Sequence, residues 1–116
     1  MVRVLAKINQ MKDLYGDDFV TDLLAVFLEH TPRSISQMEN FWKSSDYQKL
    51  RIKAHSLKSS SLALDCISLS TLARDIEETC LGGFYDQIPG LIQQMYNAFE
   101  PLRIFLGQEL SFRRRD

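Results

Sequence analysis

YQKLRIKAHSLKSSSLAL, Tyr47 to Leu64, is the stretch on which the fold turns. Tyr47, Leu50, Ala54, Leu57, Ser61 and Leu64 recur at spacings of three and four, which gathers them on one face of an α-helix and predicts that this face is buried. His55 follows Ala54 by one position, so it projects roughly 100° around the helix from the stripe, toward solvent. Lys58 and Ser59 fall one turn further along the same side. Arg51, Ile52, Ser59 and Leu62 share that outward face, an apolar patch rimmed by charge around an exposed imidazole.

Helical periodicity continues on both sides of this stretch, and no segment alternates with period two for long enough to force a strand. Ser44-Ser45-Asp46 is expected to end the preceding helix and cap this one. That preceding helix should open at Asp17 or Asp18 and turn Phe19, Leu23, Leu24, Phe27, Ile35, Met38 and Phe41 or Trp42 inward. Pro32 lies within it and is predicted to kink or interrupt it, because proline lacks the backbone donor and crowds the preceding turn. A short N-terminal helix, Val2 to about Met11, leads in through Tyr15-Gly16.

Beyond Leu64, the turn Asp65-Cys66-Ile67-Ser68 offers Asp65 or Ser68 as the next N-cap, before Leu69, Leu72, Ala73, Ile76 and Cys80. Gly82-Gly83 is a helix stop. The last helix should begin near Asp86, tolerate Pro89 in its first turn, bend at Pro101, and bury Ile88, Leu91, Ile92, Met95, Phe99, Leu102 and Leu106. The expected class is all-α: an antiparallel up-down-up-down four-helix bundle over about 17–110, with a short extra N-terminal helix and a basic tail over 111–116.

The 116 residues are 45% hydrophobic with five Gly and three Pro, which suits a single domain spanning 1–116 that buries about two thirds of its unfolded surface. Fourteen basic and fifteen acidic residues leave a net charge of −1, so no broad footprint for nucleic acid is expected. The one basic run, Arg113 to Arg115, reads as a solvated tail that complements the final helix dipole. MVRVLAKINQMKD lacks the apolar core of a signal peptide and no segment reaches the roughly 20 apolar residues of a membrane span, so a cytoplasmic location without membrane contact is expected. Cys66 and Cys80 read as buried small hydrophobes, not as a disulfide or half of a zinc site.

The run AHSLKSSSLALDCISLSTLARDIEETCL, Ala54 to Leu81, resembles the histidine-containing phosphotransfer (HPt) domain family. That pattern has an alanine or similar residue, the phospho-accepting His, an aliphatic residue two on, Lys three on, and Gly four and ten on. His55, Leu57 and Lys58 match it; Ser59 and Asp65 replace the two glycines. A second, Leu-rich helix follows in the family and ends near a Gln or Glu, here Ile76-Glu77.

The resemblance implies a phosphorelay intermediate of two-component signalling that accepts a phosphoryl group on Nε2 of His55 and exchanges it with aspartates of receiver domains. It makes Lys58 the charge partner of the phosphate, Glu77 the residue that orients Nδ1, and Arg51, Ile52, Ser59 and Leu62 the docking patch. A neutral imidazole is a good nucleophile toward phosphorus, and a lysine at i+3 can offset the charge that results.

No cofactor is expected on this chain, Mg2+ belonging to the receiver partner, and a monomer is expected. Nothing resembles a nucleotide-binding loop, an HExxH motif or a catalytic triad, so the chain should receive its phosphoryl group and not take it from ATP. His30, flanked by Glu29 and Thr31, reads as structural. The competing reading is a non-catalytic helical adapter that binds receiver domains or other helical partners, and the two missing glycines motivate it.

Overall fold

A computed structural model describes residues 1–114 of the chain. They form five α-helices: α1 (Val2–Tyr15), α2 (Asp17–Lys43), α3 (Tyr47–Ala63), α4 (Ile67–Gly82) and α5 (Ile88–Arg113), with a 3-10 turn at Tyr85–Gln87 before the last. Among the described residues there is no strand. α2 packs on α3, α3 on α4, α4 on α5, and α5 returns against α2, so these four enclose one core while α1 packs on α2. No helix among the described residues is long and apolar enough to cross a membrane.

The stripe of α3 behaves as its spacing requires. Leu50, Ala54, Leu57, Ser61 and Leu64 are buried, and Asp46 caps the helix by accepting from the Lys49 N–H at 3.2 Å. Tyr47 is half-buried and stacks on Tyr85, ring centroids 3.6 Å apart and nearly parallel. On α5, Pro89 occupies the first turn as expected, and Ile88, Ile92, Met95, Phe99, Leu102 and Leu106 are buried.

Several expectations need correction. α1 continues to Tyr15, and Gly16 alone separates it from α2; its φ of 92° with ψ of 165° is backbone that only glycine adopts readily. Gly16 is therefore the N-cap of α2, and Asp17 and Asp18 lie inside the first turn. Val20 takes the core position expected of Phe19, which is exposed and leans on Tyr15. Leu23, Phe41, Trp42, Leu72 and Leu91 are half-buried at the edge of the core.

Neither Pro32 nor Pro101 interrupts its helix. Each removes one intrahelical bond, but Ile35 and Met38 beyond the first, and Leu102 and Leu106 beyond the second, are anchored in the core and keep the helix going. α4 takes Cys66 as its N-cap; Asp65 and Ser68 do not cap it. Asp65 instead holds a left-handed conformation, φ 59°, at the end of α3.

The final helix starts at Ile88, after the turn that contains Asp86, and runs through Arg113. Residues 111–113 of the expected tail are thus helical. Arg113 is not solvated: its mostly buried guanidinium donates to Asp17, tying the end of α5 to the start of α2. Arg115 lies outside the described residues.

Candidate functional site

α3 and α4 are joined by a tight turn and run antiparallel. Its register is visible at two points: Tyr47 stacks on Tyr85, and eight residues further along α3 His55 meets Glu77, eight residues back. His55 Nδ1 donates to Glu77 Oε2 at 2.6 Å, and Lys58 Nζ donates to Glu77 Oε1 at 3.2 Å. One carboxylate thus engages the ring and the ammonium with separate oxygens.

Exposure divides the roles. The His55 side chain is 61% exposed, Glu77 only 16% and Lys58 28%. Glu77 sits in the groove between the helices, and Lys58, expected on the solvent side of α3, lies partly over it. Burial would raise the Glu77 carboxyl, but the hydrogen bonds from His55 and Lys58 and the charge of both outweigh it and hold the group below the usual carboxylate range. Glu77 is therefore ionised at neutral pH.

A carboxylate can only accept, so Nδ1 is the nitrogen that carries the proton. In the neutral ring the lone pair is then on Nε2, the nitrogen that Glu77 does not engage, on a side chain that is mostly exposed. Arg74, the in-helix partner that sequence spacing suggests for Glu77, pairs with Asp75 instead, 3.5 Å away.

Of the other expected site residues, Ile52 and Leu62 are 52% and 55% exposed, and Arg51 is half-buried. Ser59 is exposed, and its hydroxyl donates to the His55 carbonyl oxygen at 3.3 Å. In a continuous helix these residues share the face of His55, as their spacing predicts. Exposed Leu81, one turn beyond Glu77 on α4, adds an apolar group outside the predicted patch; its signal in the sequence is a leucine four residues past Glu77. His30 is exposed on α2, and no contact joins it to this cluster.

The model of the Hpt domain matches residues 22–100, about two thirds of the chain. Among curated proteins no match is found. Among solved structures, histidine-containing phosphotransfer protein B (HptB) from Pseudomonas aeruginosa PAO1 is similar, with a TM-score of 0.86 and 25% sequence identity over 91% of both chains. An exposed imidazole hydrogen-bonded to a carboxylate of the neighbouring helix, on an all-helical fold, agrees with a phosphotransfer role in two-component signalling. The chain belongs to the Hpt domain family, whose members exchange phosphoryl groups with receiver domains in two-component signalling.

Proposed function

We propose that this protein is a phosphorelay intermediate and that His55 is its phospho-acceptor. The observation that carries this reading is the His55–Glu77 hydrogen bond, which leaves Nε2 unprotonated in the neutral ring and faces it to solvent. The Nε2 lone pair attacks the phosphorus of an aspartyl phosphate on a receiver domain. A P–N bond forms as the P–O bond to the aspartate breaks, and the carboxylate leaves with the electron pair. The proton stays on Nδ1, and the positive charge that develops on the ring is met by Glu77.

Lys58, one turn from His55, offsets the phosphoryl charge, exchanging part of its contact with Glu77 for the phosphate oxygens. Arg51, Ile52, Ser59 and Leu62 form the surface on which the receiver docks. The chain itself holds no cofactor; Mg2+ acts on the receiver. It works in the cytoplasm as a monomer, and the closed circuit of α2 to α5 supports the up-down-up-down bundle read from the sequence. The adapter reading rested on the two lost glycines. Asp65 keeps the left-handed backbone of a glycine, and Ser59 directs its hydroxyl to its own helix, so neither loss favours an inert site.

Incubation with radiolabelled phospho-receiver tests the reading. Wild type should gain label, His55→Gln should gain none, and Lys58→Ala should gain it about tenfold more slowly, the loss of one charge-assisted contact. Undiminished labelling of His55→Gln would overturn the assignment.

A further inference from the structure

Two exposed apolar side chains lie near the end of α4: Leu81, 69% exposed, and Phe84, 63% exposed. They face different ways. Phe84 lies against Gly82, where an added Cβ would come within 2.8 Å of the ring, and it lines the groove between α4 and α5 with Asp75, Glu78 and Leu91. Leu81 follows Glu77 by four residues, so it stands about 6 Å further along the stripe of α4 that meets α3. In the antiparallel register given by the Tyr47–Tyr85 and His55–Glu77 contacts, Leu81 lies level with Arg51 and within one residue of the level of Ile52.

Ile52, Leu62 and Leu81 therefore flank His55 with exposed apolar groups from two helices; Arg51 lies at the level of Leu81, one turn before the imidazole, and Lys58 one turn beyond it. A protein that delivers phosphorus to Nε2 must cover more than that atom. A specific interface of ordinary size takes about 800 Å² from each partner, a disc of roughly 16 Å radius. Centred on His55, such a footprint includes Leu81, and the two cations suit a donor whose acyl phosphate is doubly negative.

We propose that Leu81 is a docking and specificity residue for the receiver domain that carries the aspartyl phosphate, a third apolar anchor placed on α4 at the level of Arg51 and Ile52, with Leu62 beyond His55 on the other side. The proposal rests on the phosphotransfer reading of His55. It makes Leu81 a contributor to partner binding and not to the chemistry, because it stands one turn of α4 beyond the carboxylate that meets the ring and carries no polar group.

Two phosphoryl donors separate these roles. Phosphoramidate, a small donor, needs no docking surface; a panel of phosphorylated receiver domains does. Leu81→Ala and Leu81→Asp should leave phosphoramidate labelling of His55 unchanged while raising KM for the cognate phospho-receiver about tenfold or more, with kcat within twofold. Phe84→Ala, an equally exposed apolar truncation on the other flank of α4, should change neither. Unaltered KM in both Leu81 variants, or an equal rise in Phe84→Ala, would overturn the anchor while leaving the phosphotransfer reading intact. Failure of wild type to accept label from either donor would overturn both together.

Discussion

Glu77 meets both His55 and Lys58, and these two contacts give it a measurable signature. Because the folded protein holds this carboxyl below its usual range, the contribution of the contacts to stability is fully present above the pKa of the unfolded chain and is lost as pH falls through the folded value. Urea denaturation between neutral pH and about pH 3 should show stability falling with acidification, and Glu77→Gln should flatten part of that slope; an unchanged slope would remove Glu77 from the account. Glu77 was reachable in the sequence only through the family resemblance. Its local spacing points to Arg74, whereas its actual partners come from α3, and no periodicity within one helix reveals a contact across two.

At the scale of elements, the turns explain both what could be read and what could not. Three helices end alike, with a residue in the left-handed region and two backbone bonds folding back: Asp46 to Phe41 and Ser45 to Trp42, Cys66 to Ser61 and Asp65 to Leu62, Phe84 to Thr79 and Gly83 to Cys80. Gly82-Gly83 announced the last of these. Ser44-Ser45-Asp46 announced the first; at the second the turn was legible, but Asp65 or Ser68 was expected as the next N-cap, because aspartate serves in both positions. Asp65→Gly should therefore raise stability by up to about 1 kcal/mol, and Asp65→Val should lower it by about 1 to 2 kcal/mol, in urea or thermal unfolding. The reverse order would contradict the left-handed assignment. At Pro32 local propensity allows an interruption, and the buried residues beyond it keep the helix continuous, as they do beyond Pro101.

For the whole molecule, helix lengths set the shape. α2 and α5, 27 and 26 residues, run most of its 47 Å length, while α3 and α4, 17 and 16 residues, cover only part of it. α1 occupies the rest of that flank: its first residues lie beside the Asp65–Ser68 turn, and Val4, Ile8 and Met11 are buried. The stripes of α3, α4 and α5 were legible because burial follows the 3.6-residue period; the entry to α2, with Val20 inside and Phe19 outside, was not, since both residues are apolar and only packing chooses between them. The orientation of α3 in this frame gives a contrast. Leu57→Ala should cost about 2 to 5 kcal/mol and Leu62→Ala within about 0.5 kcal/mol in thermal melts, and the opposite result would mean that His55 faces the core.

The central claim concerns one nitrogen atom and can be read directly. Protein labelled on histidine nitrogens and phosphorylated with phosphoramidate should show, by nuclear magnetic resonance, a phosphorus–nitrogen coupling on a single imidazole, at Nε2, with Nδ1 still protonated, and His55→Gln should abolish it. Coupling at Nδ1 of His55, or at His30, would contradict the account.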